Sequence, residues 1–544
     1  MKNRSPMNIN RRDFLKLTAL LTASAAIKPG FKILPARQPA DPDAKNILII
    51  VFDALSAANI NFYGYPRQTM PNLTRLLDRA TVYHNHYACA NFTTPGTASL
   101  LTGRYPWDHQ ALKLSETVRS GLVGSSIFAL FDDYFRLGYT HNNMAGYLLN
   151  QFGGSLDQHL TSISLYLQYN YVNQTEWFSS LFADDPDLVD LFKSRLTDET
   201  LDGYLYRLLF PSLLGKEEYL LPEQIAQNFP RGVPGFGRGF ILEDAIDWTL
   251  EQAKAMPRPF LSYLHYFPPH SPYHTRIDFV DAFLEDGFIP PTKPRHPVVI
   301  PGEFLTPSGE QEFRRQYDEF ILYVDAEFER LFSSLDQTGI LENTLLVLTT
   351  DHGEMFERKV IEHNFPYLYE PLVKIPLVIF DPEQTERRDI YSLTSCVDLL
   401  PTLLHYTSHP IPAALPGKIL PPYTDPPQEE QKILAMDARW NQNASRIDTA
   451  TLMMRQGSLK AIRYGGYADH YLSTGAQNKY DTMQSYDDPY YEVFNLQEDP
   501  EELENLAGES NSEILSLIQE TEAYYQANVE FASTSQDRYY GPSC

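Results

Sequence analysis

Two stretches of this chain are apolar almost from end to end, and each runs straight into an aspartate. Residues 46–52 read NILIIVF and stop at Asp53; residues 343–350 read NTLLVLTT and deliver Asp351-His352-Gly353-Glu354. A strand-length run without polar alternation is buried on both faces, as in the middle of a parallel sheet covered by helices. Open α/β sheets hold their ligands just beyond the carboxyl ends of such strands. Both acids are therefore expected at a ligand site, although a plain strand terminator would account for Asp53 taken alone.

A third stretch, residues 91–105, reads NFTTPGTASLLTGRY. Its small hydroxyl residues lead into Leu100 and Leu101, which reads as a loop turning into a helix. Pro95 suits the first turn, where no N–H donor is needed, and the hydroxyls around it suit an N-cap. A hydroxyl there faces the positive end of the helix, where an anion is also favoured. In the Asp351-His352 pair, both side chains can reach one cation only if the backbone bends tightly, which Gly353 permits.

Taken in order, these motifs resemble the sulfatase-like branch of the alkaline phosphatase superfamily. In that family a nucleophile stands two residues before a proline, which falls here on Thr93. The run after Asp53 (FYGYPRQTMPNLTRLL), the segment Pro269-His270-Ser271-Pro272-Tyr273, the DHGE run and the later Tyr369-Glu370 all match in sequence order. Residues 315–335, with Tyr317, Ile321, Tyr323 and Asp325 at helical spacing, and VDLLPTLL at 397–404 match scaffold helices of the family. The phrase YEVFNLQEDP marks its C-terminal part.

The resemblance implies an alkaline-phosphatase-like α/β/α sandwich with a mostly parallel central sheet and a small C-terminal α+β subdomain. The expected boundaries are a signal segment at 1–30, a spacer at 31–44, a catalytic domain at 45–408 and a linker with the subdomain at 409–544. An aromatic, leucine-rich and acidic insertion is expected at about 152–233. It reads equally as a specificity element and as a packed helical decoration. A helix over SIFALFDDYFRLG, followed by a strand, is expected between about 125 and 150.

The resemblance also implies roles. Asp53, Thr93, Asp351 and His352 would share one divalent cation, and His270 and His363 would contact the transferring group. His265, inside a strand, reads as a core histidine. Oxygen donors with one imidazole suit zinc or manganese better than calcium or magnesium. Ala54 and His352 stand where calcium-binding sulfatases carry a second aspartate and often an asparagine. Thr93 and Thr97 stand where true sulfatases have the cysteine or serine that becomes formylglycine and an arginine. Cys89 is no substitute, since Asn91 rather than proline follows two places on.

A threonine would become a ketone rather than an aldehyde on oxidation, so the expected mechanism is in-line attack by cation-activated Thr93 through a covalent threonine intermediate. Phosphate mono- or diesters or phosphonates are the expected substrates, small or carried on a lipid or glycan. The alternatives are an arylsulfatase-like sulfuric ester hydrolase, a phospho-headgroup transferase and an inactive binding scaffold. Known transferases of this kind usually carry several membrane spans, which favours the hydrolase.

Charge narrows the partners. The 544 residues carry a net charge of -26, the wrong sign for a nucleic-acid footprint. Three cysteines allow at most one internal bridge. The N-terminal NRRDFLK followed by LTALLTASAAI resembles a twin-arginine export signal. It implies a periplasmic or extracellular protein, touching membrane only through a signal that stays uncleaved.

Overall fold

The computed structural model describes residues 44–160, 227–234, 241–294, 296, 306–424, 431–443, 446–467 and 488–529. All belong to one of the two compact units into which the chain divides, that of 39–162 with 227–544. The twin-arginine segment, all but the last residue of the spacer and most of the expected insertion lie outside the described residues.

Sixteen strands are described: β1 Asn46–Phe52, β2 Thr81–Tyr83, β3 His86–Tyr87, β4 Phe135–Thr140, β5 Gln158–Leu160, β6 Phe260–Tyr266, β7 Thr344–Thr349, β8 Phe356–Glu357, β9 Val360–Ile361, β10 Leu377–Phe380, β11 Arg388–Ile390, β12 Thr394–Ser395, β13 Ile433–Asp437, β14 Ala450–Gln456, β15 Leu459–Gly465 and β16 Tyr490–Asn495. Eight form the main sheet in the order β11-β2-β10-β7-β1-β6-β4-β5. Only β10 runs antiparallel to its neighbours. The expected mostly parallel sheet is thus present, with NILIIVF at its centre and every residue of that run buried.

Alternate residues of β1 enter opposite layers, as a period of two requires. Ile47, Ile49 and Val51 share a core with Leu100, Leu148 and Leu400, which come from the helices Thr93–Thr102, Asn143–Phe152 and Leu399–Tyr406. On the other face Phe52 meets Phe328 of the helix Pro307–Gln337, ring centroids 6.3 Å apart. Each fully buried side chain of this kind contributes about 1.5–3 kcal/mol.

The scaffold residues of the long helix act on the loops after β1. The Tyr317 hydroxyl donates to the Ala54 carbonyl at 2.6 Å and accepts from the Ser56 N–H at 2.9 Å. Asp325 accepts the N–H groups of Asn72 and Leu73, both at 2.8 Å, opposite the helix Pro71–Leu76.

Residues 125–150 differ from expectation. The helix is only Ile127–Leu130, and FRLGYT becomes β4. In-register parallel pairing with β6, Phe135 opposite Phe260 through Thr140 opposite His265, outweighs the local helical pattern.

The C-terminal part is a four-stranded antiparallel sheet, β13-β14-β15-β16, with the helix Ser512–Tyr524 against it. Cys89 and Cys396 are buried neighbours, sulfurs 2.9 Å apart and unbridged.

Candidate functional site

The site grows from the carboxyl ends of β1, β6 and β7. Directly after β1 the backbone of Ala54 takes φ 61°, a conformation L-residues seldom adopt outside constrained sites. The Tyr317 hydroxyl, bonded on both sides of that turn, holds it. Asp53 is thereby fixed at the strand end, its N–H donating to the Tyr266 carbonyl at 3.0 Å, and it is fully buried.

Thr93 is the first residue of the helix Thr93–Thr102, with Phe92 as N-cap. The expected hydroxyl cap is therefore absent, which leaves the Thr93 hydroxyl for other partners. Gly96 explains how this helix comes so close to the DHGE turn. A Cβ there would lie 2.4 Å from the Asp351 carbonyl oxygen. Gly353 is equally constrained, since its Cβ would lie 2.0 Å from the Pro371 carbonyl oxygen. A side chain at Gly96 would push the Thr93 helix away from Asp351, and one at Gly353 would push the DHGE turn away from Pro371.

Asp53, Asp351 and His352 each present a donor atom within 4.8 Å of the others, all buried. His352 Nδ1 donates to the Gly353 carbonyl at 2.8 Å, which leaves Nε2 as the nitrogen that could coordinate a cation. That Nε2 lies 3.4 Å from Asp53 Oδ1, 3.7 Å from Asp351 Oδ2 and 3.3 Å from Thr93 Oγ1. Asp53 Oδ1 has no hydrogen-bond partner although it is buried. An orphaned carboxylate oxygen among converging donors is an arrangement that a divalent cation would complete, so the residues fit a divalent metal.

The electrostatics agree. Burial alone would raise Asp53, but the positive field of His270 and the contacts with His265 and His352 outweigh it and hold its carboxyl well below the usual range. Burial and the facing Asp53 charge push Asp351 up. Among the described residues no lysine or arginine forms an ion pair with either; their partners are His265 and His352.

His270 and His363 stand together, ring centroids 4.9 Å apart, and His363 is 4.3 Å from the ring of His352. His270 Nδ1 donates to the Ser271 carbonyl at 2.7 Å, and His363 Nδ1 donates to Glu354 Oε1 at 3.0 Å. Burial, then the fields of His352, His270 and Arg439, hold the His363 imidazole well below its usual range. All six residues singled out from sequence, Asp53, Thr93, His270, Asp351, His352 and His363, are thus brought together.

Further residues join this cluster: Asn142, which the sequence reading did not single out, and Thr97, Glu354 and His265, which it named without a site role. Asn142, N-cap of the helix Asn143–Phe152, donates its amide to both Asp53 Oδ2 and Thr93 Oγ1, the latter at 3.2 Å. Thr97 donates to Asp351 Oδ2 at 3.3 Å. Glu354 anchors His363. His265, expected as a core histidine, instead sets Nε2 3.3 Å from Asp53 Oδ2 and 3.8 Å from Asp351 Oδ2. Only the single His and paired Asn of THNN, at residues 140–143, could have hinted at Asn142.

A family model described as Sulfatase matches residues 45–409. Arylsulfatase K of Bos taurus is 26% identical over 306 residues, 51% of this chain and 52% of that protein. The chain therefore aligns with about half the length of that relative. The multifunctional alkaline phosphatase superfamily protein PehA of Trinickia caryophylli is 24% identical over 420 residues, covering 70% of this chain and 77% of PehA. Among solved structures, the phosphonate monoester hydrolase SpPMH from Silicibacter pomeroyi superposes with a TM-score of 0.60 at 18% identity, covering 91% of this chain and 100% of that one.

Proposed function

From the premise that the chain belongs to the sulfatase family of ester hydrolases, we propose that it cleaves phosphate or phosphonate esters by attack of Thr93. The observation that carries this reading is the Thr93 hydroxyl at a helix N-terminus, 3.3 Å from His352 Nε2 and held by the Asn142 amide. Among the described residues no cysteine stands near it that could become formylglycine, since Cys89 lies buried against Cys396.

Asp53, Asp351 and His352 would hold one divalent cation, with zinc or manganese suited to the mixed donor set. When bound, such a cation favours the alkoxide and offsets charge on the transferring group. The chain supplies the rest. Asn142 aims the Thr93 oxygen, which attacks phosphorus in line while the ester P–O bond opposite breaks. His270 faces the transferring group and passes a proton to the departing alcohol. His363, its Nδ1–H committed to Glu354, offers Nε2 as acceptor for the water that then displaces phosphate or phosphonate from Thr93.

Formylglycine sheds sulfate by elimination from a hemiacetal, and a threonine sulfate has no such exit. Sulfate esters therefore rank second, retained because of the similarity to arylsulfatase K. The Arg11-Arg12 segment motivates export by the twin-arginine route.

Metal content and turnover of aryl phosphonate, phosphodiester, phosphate monoester and sulfate esters, by wild type, Thr93→Ser and Thr93→Ala, test the reading. Expected are about one metal ion per chain and phosphoester turnover that falls at least about 10³-fold in Thr93→Ala. Sulfate turnover that survives without Thr93 would overturn it.

A further inference from the structure

Asp53 is approached by an imidazole from each of its two oxygens. His352 lies on Oδ1, and His265 lies on Oδ2 from the neighbouring strand β6. The β1–β6 register produces this, because Val51 pairs with His265 and Asp53 follows Val51 on the same face.

His265 is fully buried, yet its Nε2 makes no hydrogen bond. Its 3.3 Å approach to Asp53 Oδ2 and 3.8 Å approach to Asp351 Oδ2 lack hydrogen-bond geometry, so the nitrogen and the carboxylates are not aimed at one another. Its Nδ1 is occupied by the Tyr263 hydroxyl at 3.1 Å, an outer partner of the kind that orients a ligating histidine. Donors bound about 2.0–2.2 Å from one ion sit roughly 3.0–3.5 Å apart when adjacent. The His265 to Asp53 separation matches that spacing; His265 stands outside the three donors that all lie within 4.8 Å of one another, so ligation requires its ring to close on Asp351 and His352. A buried imidazole nitrogen left without a partner costs free energy, which a ligand bond would recover.

We propose that His265 is a further ligand of the ion held by Asp53, Asp351 and His352, giving the site two imidazoles and two carboxylates beside Thr93. This rests on the metal-dependent reading above. Tyr263 is then a positioning residue that holds the His265 ring.

The test uses full-length protein stripped of metal with a chelator and reloaded. In the wild type loaded with Cu(II), pulsed EPR counts coordinated imidazoles directly and needs no variant; two are expected. Zinc affinity, measured by chelator competition, is expected to fall at least about 100-fold in His265→Ala and His265→Gln, since losing even an outer partner of a ligand costs about 10–100-fold. Tyr263→Phe is expected to lose about 10-fold. One coordinated imidazole with unchanged zinc affinity in both His265 variants overturns the assignment while leaving the metal-dependent hydrolase intact. Two ions per chain with one imidazole each also overturns it. Failure of the wild type to bind any divalent ion overturns both readings together.

Discussion

Two of the buried carboxylate clusters among the described residues are built on opposite rules. In one, Lys460 Nζ lies 2.9 Å from Glu370 Oε1 and 2.7 Å from Glu502 Oε1. The other Glu370 oxygen accepts the Tyr87 hydroxyl at 2.8 Å, and the other Glu502 oxygen accepts the Glu370 N–H at 2.8 Å. Every charge there has a partner inside the protein, and the cluster ties β15 to the helix Glu370–Val373. In the other, Asp53 and Asp351 face each other with histidines as their only ion-pair partners among the described residues, and Asp53 Oδ1 and His265 Nε2 make no hydrogen bond. Buried charge satisfied internally is scaffold; buried charge oriented and left incomplete is prepared for something the chain does not supply.

Substitutions can break this contrast. Lys460→Met leaves Glu370 and Glu502 buried against each other and is expected to cost about 3–5 kcal/mol in urea unfolding. Turnover per folded molecule should change little. Unchanged stability would show that this cluster is no scaffold.

Asp398 sharpens the contrast, because its partners are neutral N–H groups, Ser395 and Lys418, both at 2.8 Å. Burial pushes its carboxyl from 3.8 up to about 6. The folded state then binds more protons than the unfolded one between pH ~4 and ~6, so this contribution is complete below pH ~4 and is lost as pH rises to ~6, by about 2–3 kcal/mol. Thermal melts across that window should show Asp398→Asn with a shallower decline than wild type. Parallel declines would refute the assignment.

The smallest stability effect belongs to the incomplete cluster. With chelator present, Asp351→Asn removes one of two facing carboxylates and is expected to stabilise the fold by about 1–2 kcal/mol while abolishing turnover. Added zinc should reverse the order, since only wild type gains fully from binding. A variant less stable than wild type in chelator would mean that Asp351 is already satisfied.

Much of this site could be read from sequence because the fold delivers it in local pieces. NILIIVF before Asp53, NTLLVLTT before Asp351 and the small-residue helix after Thr93 each carry their placement in a few neighbouring residues. His265 was hidden by the same logic. It sits within FLSYLHY, an apolar strand, and only the strand register sets it beside an aspartate 212 positions earlier in the chain. Asn142 reaches Asp53 and Thr93 from a helix cap whose position depends on β4 pairing with β6. That same pairing turned an expected helix into a strand. Nothing in the local pattern encodes partners across a sheet.

The most direct measurement is a rapid quench of a slowly hydrolysed aryl phosphonate on metal-loaded enzyme, followed by peptide mass mapping. Expected is one phosphonyl group on the peptide containing Thr93, formed with a burst of the leaving phenol and absent in Thr93→Ala. A burst without that adduct, or an adduct on any other residue, would contradict Thr93 as the nucleophile.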